Sequence, residues 1–282
     1  MTTAAIIGAG DVGGAAAHAL ATRDAVHRIL LVDAAGSIAE GKALDIQQSG
    51  AITGFHTRLR GTRDLSRAAG CDVYVVADPA GPGGSPPAGQ DDVAGMTWLA
   101  RIAGRAPIVF AGPGHAPQML VASRDAGVDR SRLIGSAPEA LAAAVRAIVA
   151  LEAGCAPGEV MTTVLGAPPD GFVVPWSDAS IGGTALEQML STVQLARVEA
   201  RVRRLWPPQP YALGLAAAVV AEGAIRSARR AFSVFALLDG EFGARNRVGA
   251  IPVLLSATGI VHRRVPALAA RERTRLQTVL GS

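Results

Sequence analysis

The first half of the chain alternates short apolar runs with helical stretches, and this alternation constrains the fold more than any other feature. The apolar runs have the length and aliphatic content of buried strands, and they lie at residues 4–10, 28–34, 72–78, 106–112 and 132–137. Helical patterns separate most of them, at residues 12–22, 95–104 and 117–127. Repetition of strand and helix implies right-handed crossovers and a parallel sheet. The sequence therefore predicts an α/β fold with a doubly wound parallel sheet.

A glycine-rich turn follows the first apolar run and opens the first helix. Its sequence, GAGDVG, fits G-x-G-x-x-G through Gly8, Gly10 and Gly13, with Asp11 and Val12 between them. In a Rossmann fold, these glycines allow a tight turn, close approach of a pyrophosphate and close packing of the helix on the sheet. The N-terminus of the helix attracts the phosphate.

An aspartate ends the second apolar run, at the spacing that such a turn requires. Asp33 lies 20 residues beyond Gly13, where a carboxylate binds the ribose hydroxyls of NAD and repels the 2′-phosphate of NADP. A glycine-rich turn with an unrelated N-capping aspartate is the alternative, and FAD is a second candidate ligand. We predict that Gly8, Gly10, Asp11, Val12, Gly13 and Asp33 bind a dinucleotide, NAD.

After about residue 145 the pattern becomes mixed. Two strand-like segments flank a proline-containing loop at 159–176, and strands meeting through turns are expected over 231–265. Amphipathic patterns predict helices over 184–206, 213–230 and 271–282. We therefore predict two domains: a dinucleotide-binding Rossmann domain over 1–140 and an α+β, substrate-type domain over 141–282.

Composition argues against several classes of function. The formal net charge is +4, Lys42 is the only lysine, and the arginines are spread along the chain, which indicates solvated helix faces and no nucleic-acid partner. Cys71 and Cys155 have neither disulfide nor metal-ligand spacing, and no signal peptide is evident. No apolar run reaches membrane-spanning length. We expect a cytoplasmic protein with no metal site and no membrane contact.

Segments 8–20 and 31–55 resemble the first βαβ unit of the malate/lactate dehydrogenase family and the helix after it, and GKALDIQ (41–47) is the most diagnostic part. The same order of elements continues to the C-terminus, so the resemblance covers nearly the whole chain. It implies hydride transfer between NAD and a 2-hydroxy acid. It also implies a homo-oligomer, a dimer or tetramer, whose subunits pair through helices that include the one around GKALDIQQ.

The positions at which this family carries its catalytic side chains are substituted here. The family histidine lies in a G-G-H-G-D loop, and the matching residues are Gly166-Ala167-Pro168-Pro169-Asp170, which places Pro168 at the histidine position. The family aspartate and the arginine that binds the substrate carboxylate come from L-D-x-x-R-x-R. Leu141 and Ala144 take their places, whereas Arg146 matches the last, mostly structural arginine.

The mobile loop and the substrate-binding asparagine of the family also lack counterparts. Residues 79–92 contain no arginine, and the segment AGPG (111–114) contains no asparagine. Loss of a general acid–base residue alone typically lowers the rate by about 10²–10⁴-fold, and loss of a cooperating set can approach ~10⁶. Ordinary oxidation of malate or lactate is therefore not expected.

Three residues are weak candidates for a replacement chemistry. His115 follows Gly114 at the carboxyl edge of the sheet, where such folds bind ligands, although a lone loop histidine is commonly only solvated. Asp170 remains from the family loop and could face the cleft. Gln90, with the two aspartates after it, either closes over a ligand or forms the first turn of a helix.

Three functions fit these observations. The first is an NAD(H)-binding pseudoenzyme with a regulatory or assembly role and a protein partner. The second is a divergent NAD-dependent oxidoreductase, since apolar replacements suit an uncharged or apolar carbonyl or alcohol substrate. The third is a structural protein that has lost the cofactor too, and the intact glycines and Asp33 argue against it.

Overall fold

The N-terminal half forms six parallel strands. The computed structural model describes the backbone of residues 1–81 and 90–281 and the side chains of residues 1–81 and 93–281. The strands are β1 (Thr3–Ile7), β2 (Arg28–Val32), β3 (Arg58–Thr62), β4 (Val73–Val76), β5 (Ile108–Phe110) and β6 (Leu133–Gly135). They pair in the order β3-β2-β1-β4-β5-β6, with β1 between β2 and β4. The predicted doubly wound Rossmann-type sheet is confirmed.

The helices of this half cover the sheet, so its central strands are apolar along their whole length. The helices are α1 (Asp11–Thr22), α2 (Gly36–Thr53), α3 (Gln90–Ala103), α4 (Ala116–Arg124) and α5 (Ala137–Ala153). Ala4, Ala5 and Ile6 of β1 are fully buried, as a parallel strand covered on both faces requires. The sequence RLRGT of β3 gives no such apolar signal, because this strand lies at the edge and exposes Arg58 and Arg60. Sequence analysis missed it for that reason.

The second half extends the same sheet with antiparallel strands. It contains β7 (Val160–Met161), β8 (Leu165–Ala167), β9 (Gly171–Val173), β10 (Ser180–Ile181), β11 (Thr184–Ala185), β12 (Phe232–Asp239), β13 (Arg245–Ser256) and β14 (Gly259–Arg263). The large sheet continues as β6-β12-β13-β8-β9, β14 pairs with β13, and β11-β10-β7 form a small sheet. Strands β8 and β9 pair across residues 168–170, which confirms the predicted hairpin.

The prediction of one continuous helix over 184–206 is wrong. The segment folds as β11, the short α6 (Leu186–Met189) and α7 (Thr192–Val202). Ser191 separates the two helices with a capping box: Gln194 N–H donates to Ser191 Oγ, and Ser191 N–H donates to Gln194 Oε1 at 3.0 Å. This local pairing starts a new helix where the amphipathic pattern alone predicts continuity. The other helices of this half are α8 (Pro210–Ile225) and α9 (Ala270–Gly281).

The predicted domain boundary at residue 140 falls within α5, and the sheet runs across it. Phe235 of β12 pairs with Gly135 of β6, so the main apolar core contains side chains from both halves. A second apolar cluster belongs to the C-terminal half and includes Leu141, Trp176 and Val198. The division into domains 1–140 and 141–282 stays a prediction.

Helix α8 packs directly against α1, the helix that follows the glycine turn. A Cβ atom placed on Gly214 of α8 would lie 2.5 Å from Ala15 Cβ and 2.7 Å from Ala16 N. Real Cβ atoms do not approach backbone so closely, so only glycine lets the two helices meet here. The second half is thereby held against the start of the Rossmann sheet.

We expect Gly214→Ala to destabilise the protein by about 1–3 kcal/mol, because the added methyl group overpacks a helix contact. The matched control is Gly95→Ala in α3, where a Cβ atom meets nothing within 4 Å. Both glycines lie inside helices, so helix propensity alone favours alanine at each site by about 0.5–1 kcal/mol. Urea unfolding should give changes of opposite sign. Equal stabilisation of both variants would show that the α1–α8 contact is loose.

Candidate functional site

The glycine turn connects β1 to α1 with the geometry that its sequence predicts. Gly8 has a φ of +106°, and a Cβ atom there would overlap the backbone of Ala77 and Asp78. A Cβ atom on Gly13 would overlap the carbonyl oxygen of Gly8. Gly8 is therefore required by backbone conformation and Gly13 by the close packing of α1 on the turn.

Asp33 lies directly after β2, beside the turn, and is almost completely buried. Its Oδ2 accepts hydrogen bonds from Ala9 N at 2.7 Å and Ala80 N at 2.8 Å, and its Oδ1 accepts one from Ala35 N at 2.8 Å. A carboxylate has about four acceptor positions, so backbone N–H groups use most of this one. Asp33 is 5% exposed, so one acceptor position at most faces a ligand.

Asp78, which sequence analysis did not single out, occupies the N-terminus of α1. It lies just after β4, and its Oδ2 accepts from Asp11 N at 2.8 Å while its Oδ1 accepts from Gly13 N at 3.0 Å. Its own carbonyl oxygen accepts from Gly10 N at 2.9 Å. A Cβ atom on Gly10 would overlap this carboxylate, so the glycine that admits a pyrophosphate in other Rossmann folds admits Asp78 here.

Lys42, the only lysine of the chain, reaches from α2 to the same turn. Its Nζ donates to Gly10 O at 2.8 Å. Lys42 and Asp78 line a cavity of about 350 Å³ together with Ala9, Gly10, Asp11, Ile38, Pro79, Ala80 and Gly81. Among the described residues, two carboxylates and one ammonium group border this space, so the acidic side chains outnumber the basic one.

The fit of a dinucleotide to these residues is incomplete. The glycine turn and Asp33 stand where an NAD-binding fold needs them. The N–H groups that would bind the pyrophosphate instead donate to the Asp78 carboxylate. A phosphate at the same donors would lie against a like charge. In this conformation the phosphate position does not fit NAD.

His115 lies at the carboxyl edge of the sheet, as predicted, but it is buried. Its Nδ1 accepts a hydrogen bond from Gly112 N at 3.1 Å, which places the ring proton on Nε2, and its ring packs edge-on against Phe110. Burial lowers the pKa of His115 to about 4, and the negative charge of Asp78 opposes this only in part. The imidazole is therefore neutral near pH 7 and supports the 112–115 turn. Such a low pKa makes a weak base.

The positions predicted to match the family's catalytic residues hold apolar groups, of which Pro168 and Leu141 are buried and Ala144 is partly exposed. Pro168 is buried in the turn between β8 and β9, and Leu141 of α5 is fully buried in the second apolar cluster. Ala144 lies one turn further along α5. Arg146 Nη2 donates to the buried Glu139 at 3.1 Å, which agrees with a structural role for this arginine. Glu139 also accepts from Ser233 N and so ties α5 to β12.

The remaining candidates are Asp170 and Gln90. Among the described residues, no contact joins either of them to His115. Asp170 is exposed at the tip of the β8–β9 turn. Gln90 is the first residue of α3, and its side chain lies outside the described residues. Catalytic roles for both stay predictions.

Metal and thiol chemistry find no support in the part of the chain that the structure describes. No group of three or more His, Cys, Asp or Glu side chains there could hold a metal ion. Burial raises the pKa of Cys71 to about 11, so its thiol stays protonated and unreactive. None of the described helices has the length and apolar character needed to cross a bilayer.

Comparisons with known proteins agree on one family. Residues 2–93 match the NAD-binding domain of lactate/malate dehydrogenases. The chain is 29% identical over 273 residues to malate dehydrogenase of Sulfurimonas denitrificans, covering 90% of this chain and 85% of the relative. It is 28% identical over 293 residues to malate dehydrogenase of Cytophaga hutchinsonii, with 97% and 93% covered.

Solved structures of the same kind share the fold. Malate dehydrogenase from Salinibacter ruber aligns with a TM-score of 0.87 at 24% identity, over 99% of this chain and 94% of that one. Lactate dehydrogenase from Cryptosporidium parvum, solved with lactic acid and NAD, aligns with a TM-score of 0.86 at 21% identity, over 99% and 95%.

Burial of His115 predicts an acid-dependent loss of stability. Between its unfolded pKa near 6.5 and its folded pKa of about 4, the unfolded chain binds a proton that the folded chain does not, so stability falls as pH drops through this window. We expect His115→Asn, which keeps an acceptor for Gly112 N–H, to remove about 2–3 kcal/mol of the loss between pH 7.5 and 4.5. Urea unfolding at both pH values measures this.

The control is His18→Gln at an exposed position of α1, which should leave the acid-dependent loss as it is in the wild type. An unchanged loss in His115→Asn would mean that the imidazole is accessible to protons in the folded state.

Proposed function

This chain belongs to the lactate/malate dehydrogenase family, and on that premise we propose that it is an NAD(H)-binding pseudoenzyme that does not oxidise malate or lactate. Residues 2–93, which include the glycine turn and Asp33, match the NAD-binding domain of that family. We propose that the chain has a regulatory or assembly role and a protein partner. Such a role requires the fold but no oxidation of a hydroxy acid.

The observation that carries this proposal is the buried proline at the proton-transfer position. Hydride transfer to or from a hydroxy acid needs a group that takes or gives the alcohol proton, and Pro168 has no titratable atom. Leu141 is fully buried among apolar side chains, so the position that matches the histidine-orienting aspartate also has no polar function. Ala144 cannot pair with a substrate carboxylate.

NAD is the cofactor that the site favours over NADP. The Asp33 carboxylate lies beside the glycine turn, where a 2′-phosphate would be repelled. The structure of the C. parvum lactate dehydrogenase contains NAD, which supports the same choice for this chain.

A divergent oxidoreductase is the second candidate function. The apolar replacements Pro168, Leu141 and Ala144 remove the groups that bind a carboxylate, as an uncharged or apolar carbonyl or alcohol substrate would require. NADH oxidation in the presence of a panel of uncharged aldehydes and ketones distinguishes the two proposals, because a pseudoenzyme turns over none of them.

We expect calorimetric titration of the nucleotide-stripped protein to show that NADH binds at least ~10-fold more tightly than NADPH, because of the charge of Asp33. Malate oxidation should be at least ~10⁴-fold slower than in the S. ruber malate dehydrogenase, and lactate oxidation at least ~10⁴-fold slower than in the C. parvum lactate dehydrogenase, each assayed in parallel as the control. Ordinary turnover of malate would overturn the pseudoenzyme proposal. Absence of binding to either nucleotide would overturn the cofactor proposal.

A homo-oligomer, dimer or tetramer, is also part of the proposal. Helix α2 contains the GKALDIQQ segment and exposes large apolar side chains to solvent: Ile52 is 88% exposed and Leu44 59%. Apolar patches on a protein surface mark contacts with other proteins, and we propose that these side chains of α2 form part of one.

Leu44→Glu should therefore shift the protein toward the monomer in light scattering coupled to size-exclusion chromatography, because it places a charge in an apolar interface. Val261→Glu is the control, since Val261 is equally exposed on β14, at 60%. The interface lies elsewhere if Leu44→Glu keeps the wild-type mass, or if only Val261→Glu dissociates.

A further inference from the structure

We propose that Asp78 is an internal competitor for the phosphate position of the dinucleotide. NAD(H) binds when the Asp78 carboxylate leaves the N-terminus of α1, so this side chain sets the affinity of the domain for its cofactor. The inference rests on the proposed function, since it assumes that NAD(H) is the ligand of the glycine turn.

The competition concerns two particular donors. The first N–H groups of a helix have no partner within the helix, and they are the groups that bind phosphate in Rossmann folds. Here Asp11 N and Gly13 N already donate to Asp78 Oδ2 and Oδ1, at 2.8 and 3.0 Å. Each N–H has one proton to donate, so an incoming phosphate must displace the carboxylate.

The backbone of the competing segment is itself fixed to the site. Ala77 N donates to Ile7 O at 2.7 Å, Gly10 N donates to Asp78 O at 2.9 Å, and Ala80 N donates to Asp33 Oδ2 at 2.8 Å. These bonds place residue 78 against the glycine turn whatever its side chain does. The backbone of this segment therefore places the Asp78 carboxylate at the N-terminus of α1.

The surrounding charges favour the internal carboxylate over a second anion. The side chains of Asp11 and Asp78 border the same cavity, and Lys42 is the one basic side chain among its described lining residues. Lys42 Nζ donates to the carbonyl oxygen of Gly10. A pyrophosphate that entered beside Asp78 would meet like charge, and no other cation among these lining residues would offset it.

An N-cap with a purely structural role is the competing explanation, because an aspartate at a helix N-terminus commonly stabilises the helix. The two explanations differ in what a neutral side chain does to binding. A structural cap predicts lower stability with unchanged or weaker NADH binding. A competitor predicts tighter NADH binding even where stability falls.

The test is calorimetric titration of NADH into the nucleotide-stripped wild type, Asp78→Asn and Asp78→Ala, with thermal unfolding of each variant. We expect Asp78→Asn to bind NADH at least ~10-fold more tightly than the wild type, which corresponds to about 1.4 kcal/mol, and Asp78→Ala to gain more. Asp125→Asn removes the same charge from an exposed position at the end of α4 and should bind as the wild type does.

A second measurement can be made on variants that fold poorly, and it uses inorganic pyrophosphate in place of NADH. Asp78→Ser keeps a neutral capping oxygen for α1, and inorganic pyrophosphate should raise the Tm of Asp78→Ser and Asp78→Ala more than that of the wild type. An equal shift in all three proteins would overturn the proposed competition for the phosphate position.

The outcomes separate this inference from the proposed function. Equal NADH affinity in the wild type and Asp78→Asn overturns the inference and leaves NADH binding intact. No NADH binding in any variant overturns the inference together with the proposed function. Binding confined to the Asp78 variants supports the inference and identifies Asp78 as the barrier, but overturns NAD(H) binding by the wild type.

Discussion

The backbone N–H groups of the glycine turn need hydrogen-bond acceptors, and the way they obtain them organises the whole site. Two aspartates provide these acceptors, one at the end of β2 and one just after β4, the strands that flank β1. Asp33 binds the turn at Ala9, and Asp78 binds it at Asp11 and Gly13. The three strand ends are thereby joined without a ligand. In an ordinary Rossmann site, a bound phosphate accepts some of the hydrogen bonds from these N–H groups.

The fold around that site is stabilised by apolar packing and by a buried cluster of charged groups. Aliphatic strands are buried between two layers of helices, and α8 meets α1 through a glycine that permits close approach. The Glu139 carboxylate ties α5 to β12 through Ser233 N, and Arg146 and Arg230 offset its charge. None of these contacts involves a residue that would react with a substrate.

The sequence predicts the sheet well because its parallel strands are buried on both faces and so appear as continuous apolar runs. It fails for β3, an edge strand with exposed arginines, and for the break at Ser191, which depends on one side chain bonding to a nearby N–H. Asp33 is predicted because its spacing from the turn is fixed. The role of Asp78 depends on how closely the segment after β4 approaches Gly10, a distance set by tertiary packing. Likewise, the position of His115 is predictable, whereas its burial is not.

The burial of Leu141 determines what a carboxylate at that position would cost. An aspartate placed there would have its charge in a cluster that includes Trp176 and Val198, with no basic group at Pro168 to pair with it. An unpaired carboxylate in such surroundings costs several kcal/mol, a large fraction of the stability of a typical protein. A carboxylate at position 141 and a proton-transfer group at position 168 would therefore have to be introduced together. Aspartate at position 141 alone would lower the stability of the chain and have no catalytic partner.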